Sequence, residues 1–341
     1  MIRVDLLAGD AQRSLRGVPV ARLAGKTVLI TGASGIVGTH LLYGLQHCQR
    51  DLGLKIHVLA VTRHGIPHHL TLLAKQGFAS FLCGDLTDTV FLNGLPPAQV
   101  IVHAATYGQP GMFMAEAVGT LKLNTTATVA LLEKLLPGGQ FLFISTSEVY
   151  SGLGSPPYRE NQIGVTNTTH PRSCYIEAKR CGEAICNAFR SAGVDAKSAR
   201  LCLAYGPGTR PGDKRVLNSF IERGLRNKVI ELLDQGEARR TYGYISDAAY
   251  MLWRVLLEGK DPVYNVGGIS TTTIAELARL VGRQLNVPVR IPLEVKEGMA
   301  GAPSDTQLTF TRFQSQFGKV DFVGLDEGVE RTVEWQVGLY N

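Results

Sequence analysis

Thr31-Gly32-Ala33-Ser34-Gly35-Ile36-Val37-Gly38 follows the apolar, β-branched run Lys26-Thr27-Val28-Leu29-Ile30 and precedes Thr39-His40-Leu41-Leu42-Tyr43-Gly44-Leu45, which reads as a helix. A strand, a turn with glycines at 32, 35 and 38, and a helix form the context of a dinucleotide site. Without a Cβ, the backbone turns tightly and approaches a pyrophosphate, whose charge the free N–H groups at the helix start favour. Gly32, Ser34, Gly35, Ile36, Val37 and Gly38 are the candidate cofactor-binding residues here.

Outward from this turn, apolar runs alternate with helical stretches as far as Leu203. Strands are expected near Thr27–Thr31, Ile56–Val61, Ala79–Leu82, Val100–Ala104, Gln140–Ser145 and Lys197–Leu203. That alternation predicts an α/β fold, a doubly wound parallel sheet with helices on both faces. Ligands of such sheets bind outside the carboxyl ends of the strands, where Thr31, Thr62, Asp85, Ala104, Ser145 and Leu203 fall. Residues 1–24 precede the first strand and read as a leading helix or arm. Beyond Tyr205, Gly206-Pro207-Gly208 and Pro211-Gly212 mark loops before a helix at Val216–Asn227. A capped helix is expected over Ser270–Leu285, and an amphipathic one over Leu325–Tyr340.

Tyr175 and Lys179, in Tyr175-Ile176-Glu177-Ala178-Lys179, are four apart and share one face of a helix. A tyrosine hydroxyl ionises near pH ~10, and a neighbouring ammonium favours the phenolate. The expectation is a tyrosine with a lowered pKa serving as general base.

With these two motifs the chain resembles the extended short-chain dehydrogenase/reductase family, in the branch that modifies nucleotide-diphosphate sugars. The resemblance runs from about Gly25 to the C-terminus. It also rests on Gly84-Asp85-Leu86-Thr87-Asp88, His103-Ala104-Ala105-Thr106, Asn124, Ser145-Thr146-Ser147-Glu148-Val149-Tyr150, Tyr205-Gly206-Pro207-Gly208, Arg240-Thr241-Tyr242-Gly243-Tyr244 and Val263-Tyr264-Asn265-Val266-Gly267-Gly268. It implies a Rossmann-type dinucleotide-binding domain over residues 25–205. Residues 206–341 would form mainly a smaller, discontinuous α/β substrate lobe, the chain partly returning to the first domain. It also implies a homodimer.

The chemistry implied is transient oxidation of the sugar at C4. Tyr175 takes the hydroxyl proton, Thr146 steers it, and Lys179 and Asn124 assist. The 4-keto group then opens decarboxylation, dehydration or epimerisation. Dehydratases resembling dTDP-glucose dehydratase carry an Asp where this chain has Ser147. Thr146-Ser147-Glu148 looks like UDP-glucuronate decarboxylases, in which the Ser and Glu surround the substrate carboxylate, and it also occurs in GDP-mannose dehydratases. Decarboxylation is therefore the expectation, with a 4-epimerase or 4,6-dehydratase as the alternative. Arg240 matches the arginine that grips the substrate diphosphate, where a planar fork suits phosphate oxygens. Arg215, Asn218, Arg210 and Tyr107 fall where the substrate pocket is shaped. Leu203 and Ser151 depart from the family's usual Asn and Gly.

The cofactor expected is NAD. Ala104, Ala105 and Thr106 follow the strand Val100-Ile101-Val102 and match the family's cofactor contacts, and Asp85 and Leu86 are placed to meet the adenine. The second strand, however, ends Val61-Thr62-Arg63-His64, without the acid that binds the adenosine ribose in NAD-specific members. Arg63 there suits the 2′-phosphate of NADP, which stays open as the alternative.

Bulk properties agree with a soluble globular protein. A chain of 341 residues, 45% hydrophobic, buries a large core. No apolar segment approaches ~20 residues and the N-terminus lacks a secretory signal, so no membrane association and a cytoplasmic location are expected. The formal charge of +6 suits anionic ligands, but no long Lys/Arg run points to nucleic acid. A non-enzymatic dinucleotide- or RNA-binding protein is the remote alternative. The six cysteines are scattered and read as reduced thiols, and His64, His68 and His69 as a polar loop rather than a metal site.

Overall fold

The computed structural model describes residues 3–292, 305–318 and 321–340. Its strands are β1 (Thr27–Thr31), β2 (His57–Thr62), β3 (Ser80–Cys83), β4 (Ala98–His103), β5 (Leu135–Thr146), β6 (Asp195–Leu201), β7 (Leu203–Tyr205), β8 (Ile230–Glu231), β9 (Arg239–Tyr244), β10 (Val263–Val266), β11 (Ser270–Thr273), β12 (Val289–Arg290) and β13 (Asp305–Thr306). The helices are α1 (Val4–Ser14), α2 (Ile36–Arg50), α3 (His68–Lys75), α4 (Thr89–Gly94), α5 (Pro110–Ala115), α6 (Ala117–Asn124), α7 (Thr126–Glu133), α8 (Ser173–Ser191), α9 (Val216–Asn227), α10 (Ile245–Glu258), α11 (Ile274–Leu285), α12 (Thr311–Phe317) and α13 (Leu325–Tyr340).

The large sheet has the order β3-β2-β1-β4-β5-β6-β10, and all its pairs are parallel. The middles of its central strands, Val28–Ile30, Val100–Val102 and Phe141–Ile144, are apolar, as suits a sheet covered on both faces. Val28, Ile30, Val100, Val102, Leu142 and Ile144 join one core with Leu41, Leu42, Leu45, Leu252 and Trp253. Leu29, Ile101, Phe141 and Phe143, on the other face, join a second core with Leu123, Ala127, Leu131 and Cys186. Each fully buried Val, Leu, Ile or Phe among them contributes roughly 1.5–3 kcal/mol. The order reverses between β1 and β4, which places the crevice for a ligand there.

A smaller sheet, β11-β9-β13 with β7 also on β9, and the pair β12-β8 make up the C-terminal α/β lobe with α9 and α11. The chain returns from this lobe to the large sheet, where β10 pairs with β6 from Val263↔Ser198 to Val266↔Leu201. The leading arm is keyed into the body: α1 packs on α2 and α10. Its buried Asp10 accepts from Tyr244 Oη at 2.8 Å and from Arg331 Nη2 at 2.7 Å. Among the described residues, no helix is long and apolar enough to cross a membrane.

Four expectations need correction. The strand expected to end at Leu203 breaks at Cys202, whose N–H bonds Val266 O at 2.9 Å, and the chain then changes sheets, β7 joining β9. The strand expected from Gln140 starts at Leu135, although its regular pairing with β4 resumes at Gln140. Ser270–Thr273 is a strand, not a first helical turn, because three successive β-branched threonines pair with β9. Thr273 is nevertheless the cap of α11, in a reciprocal capping box with Glu276. His68 and His69 open α3 instead of lying in a loop. The buried His69 bonds Thr39 Oγ1 at 3.1 Å and meets the Trp335 ring edge-on.

Candidate active site

The glycine turn abuts the loop after β4. A Cβ at Gly32, whose φ is +65°, would lie 2.7 Å from the Ala104 carbonyl, and one at Gly38 would lie 2.4 Å from Gly32 O. No side chain caps the start of α2 at Gly35, so its first N–H groups stay available to an anion. Ile36 and Val37 are buried and anchor that helix start, while Ser34 is half-buried and its carbonyl accepts from Arg210 Nη2 at 2.9 Å.

A buried chain of hydrogen bonds ties the two loops together. His103 Nε2 faces Leu123 O at 2.8 Å and is therefore the donor, which leaves Nδ1 to accept from Thr31 Oγ1 at 2.7 Å. Thr31 Oγ1 in turn accepts from Ala105 N at 3.2 Å. Burial pushes His103 down to about 4, so it stays neutral. Beside it, Asn124 ends α6 and donates to Thr106 Oγ1 at 3.2 Å and to Thr120 O at 2.8 Å. Its own buried Oδ1 has no protein partner.

Just beyond the ends of β2 and β3, and in the loop after β4, lie Arg63, Asp85, Leu86 and Tyr107. Arg63 Nε lies 2.9 Å from Asp85 Oδ2, and Arg63 also donates to the Tyr107 hydroxyl and covers that ring at 5.1 Å. Tyr107, expected with the substrate, is thus grouped with Arg63. Leu86 is buried beside them. The cleft fits a dinucleotide: two glycines where a Cβ would clash, an uncapped helix start, and polar groups at the end of β2 and beyond β3.

Tyr175 and Lys179 do share one face of α8, and both are buried. Lys179 Nζ, however, donates to Ile144 O at 2.6 Å and lies 5.9 Å from the centre of the Tyr175 ring. The lowered tyrosine pKa expected from the sequence is absent. Burial pushes the Tyr175 hydroxyl up to about 12, reinforced by the charge of Glu148 and opposed by a hydrogen bond with Thr146 and by Arg172 and Arg215. Desolvation outweighs a cation that has turned to a backbone carbonyl. Burial likewise pushes Lys179 down to about 7, against the charge of Glu183.

Thr146 ends β5, and its hydroxyl also accepts from Glu148 N at 3.3 Å, capping the short 3₁₀ turn Ser147–Tyr150. Ser147 is buried in that turn and Glu148 projects from it toward Arg172, whose Nε lies 3.1 Å from Oε2 and whose Nη2 donates to Oε1. Arg240, on β9, donates to Arg239 O at 2.7 Å and feels the charges of Glu148 and Arg172; burial lowers its pKa. Arg215 immediately precedes α9, makes no capping bond there, and forks Asp213 instead. Asn218 is buried one turn on, its Oδ1 accepting from Gln336 Nε2 at 2.7 Å.

The sequence reading missed Arg172 and Phe113. The Phe113 ring stacks on Tyr175 with centres 4.5 Å apart and planes 6° from parallel, and Arg172 lies 5.2 Å above Phe113. Arg172 stands just before the tyrosine helix, a position that signals proximity. Phe113, in a short helix far upstream, carries no such signal. It also missed the buried ion pair behind Lys179, in which Arg200 Nη2 lies 2.8 Å from Glu183 Oε2.

A parallel sheet with a glycine cradle at its switch point, a threonine at the end of β5, and a tyrosine and lysine on α8 beside it define a dinucleotide-dependent enzyme class. More particularly, the chain matches the NAD dependent epimerase/dehydratase family over residues 28–267 and belongs to it; NAD is its cofactor. It is 26% identical over 315 residues to UDP-glucuronic acid decarboxylase 1 of Xenopus tropicalis, covering 91% of this chain and 72% of that protein. Its fold is shared with a dTDP-glucose 4,6-dehydratase, DesIV of Streptomyces venezuelae, solved with NAD and TYD bound (TM-score 0.77, 23% identity, 92% of this chain and 97% of that one). It is shared equally with UDP-glucuronic acid 4-epimerase of Bacillus cereus, solved with UDP-glucuronic acid and NAD (TM-score 0.76, 23% identity, 92% of this chain and 100% of that one).

Proposed function

We propose that this member of the family decarboxylates UDP-glucuronate through a transient 4-keto sugar. The observation that carries the reading is the turn Thr146-Ser147-Glu148, which presents a carboxylate beside Tyr175 and offers a hydroxyl where a dehydratase needs an acid. The similarity to UDP-glucuronic acid decarboxylase 1 along most of the chain supports it.

In this reading Tyr175 takes the proton of the sugar 4-hydroxyl, and Thr146, bonded to the same phenol, holds that hydroxyl in line. Lys179 and Asn124 keep the tyrosine and the loop after β4 in register. NAD, when bound, supplies the hydride acceptor, returns the hydride later, and adds a positive charge that favours the phenolate. The 4-ketone makes the C5 carboxylate a β-keto acid: the C5–C6 bond breaks, carbon dioxide leaves, and the electron pair passes to the enolate oxygen at C4. Ser147 and Glu148 border this carboxylate and enolate, and protonation at C5 restores the ketone. Arg240 takes the diphosphate, with Arg215 and Asn218 at the nucleotide end. Residues 25–205 supply the cofactor side and most of 206–341 the substrate side.

The test is NMR of the purified protein with NAD and, separately, UDP-glucuronate, UDP-glucose, GDP-mannose or dTDP-glucose. UDP-xylose or its 4-keto pentose establishes decarboxylation. A 4-epimer or a 4-keto-6-deoxysugar replaces it with the epimerase or dehydratase reaction.

A further inference from the structure

Four side chains from three separate segments form one continuous assembly around the proposed chemistry. Tyr175 lies on α8, Phe113 on α5, Arg172 just before α8, and Glu148 on the turn after β5. The Tyr175 and Phe113 rings are stacked at 4.5 Å, the Arg172 guanidinium covers Phe113 at 5.2 Å, and both Glu148 oxygens are held by that guanidinium. The Arg172 side chain is only 8% exposed and that of Glu148 20%. Phe113 is itself fixed, since Cys174 Sγ donates to its carbonyl at 3.4 Å and the ring is buried.

We propose that Arg172 is a positioning residue: it aims the Glu148 carboxylate at the sugar and, through Phe113, holds that carboxylate in fixed relation to Tyr175. A two-pronged fork restricts the carboxylate in rotation as well as in distance, and a lysine cannot reproduce that geometry. A flat guanidinium also suits the face of a phenyl ring. Displacing a reacting group by about 1 Å costs on the order of a hundredfold in rate. The role of Arg172 rests on the proposed decarboxylation only in what Glu148 then does; the coupling itself does not depend on the substrate.

The experiment is a double-mutant cycle of Arg172→Gln and Glu148→Gln, with Arg172→Lys as a third variant. It is read as kcat for pentose formation from UDP-glucuronate, as the dissociation constant of UDP-glucuronate by calorimetry, and as the melting temperature. Arg172→Gln is expected to lower kcat roughly a hundredfold with less than about a threefold change in substrate affinity. Arg172→Lys should restore little of this, and the double variant should be no slower than Glu148→Gln. Additive losses, or a loss confined to substrate affinity, would overturn the positioning role. If the wild-type protein forms no pentose from UDP-glucuronate, the decarboxylase reading fails separately. The melting temperatures then decide the coupling, which additive shifts overturn and non-additive shifts retain.

Discussion

Arg63 Nε stands 2.9 Å from Asp85 Oδ2, across the ends of β2 and β3. Burial pushes the Asp85 carboxyl up, but two hydrogen bonds from Thr87 and the Arg63 charge outweigh it and hold the group below its ordinary range. The arginine that could greet a 2′-phosphate is therefore already paired. Asp85→Asn is expected to raise the NADP-to-NAD ratio of kcat/KM by about tenfold, since it frees one charge-assisted donor pair. An unchanged ratio measured with both cofactors would show that Arg63 does not face the ribose.

The cradle makes a steric prediction. At Gly38 an added methyl meets Gly32 O at 2.4 Å and Ala33 Cα at 2.6 Å, both backbone atoms that cannot rotate away. Gly38→Ala should cost about 1–3 kcal/mol of stability, as overpacking does, and strip bound NAD. Thermal unfolding with and without added NAD checks it; a normal NAD-induced rise in melting temperature would contradict the cradle.

Lys179 gives a pH dependence with a defined sign. Its folded pKa is about 7 against an ordinary 10.5, so between these values the unfolded chain binds the extra proton. Stability then rises with pH across that window and is lowest, with respect to this group, below about 7. Lys179→Met lacks the titration and should be more stable than wild type near neutrality, the gap closing toward pH ~10. Urea unfolding from pH 6 to 10 tests this, and a gap that stays constant would mean that Lys179 titrates alike in both states.

The proton-transfer groups predict a graded loss. Tyr175→Phe removes the phenol bonded to Thr146 and should lower kcat by roughly a thousandfold, within the range of general acid–base catalysis. Thr146→Val should lose less, on the order of a hundredfold, because it orients the proton without accepting it. Steady-state kinetics with unchanged melting temperatures would confirm the order. Equal losses would assign both residues to structure.

Much of this protein was determined by its sequence alone, wherever the controlling physics is local. The Val28–Ile30 run, the spacing of Gly32, Gly35 and Gly38, and the four-residue interval from Tyr175 to Lys179 follow from strand and helix periodicity and from the missing Cβ of glycine. The helices Val216–Asn227 and Leu325–Tyr340 were likewise legible in residue pattern. Tertiary structure alone decided the pairings: Arg63 with Asp85, Arg172 with Glu148, Phe113 on Tyr175, and β10 back on β6. It also decided the charge states, raising Tyr175 where its lysine neighbour suggested lowering. Desolvation and ion pairing depend on which atoms surround a group in space, and helix spacing specifies only which face that group occupies.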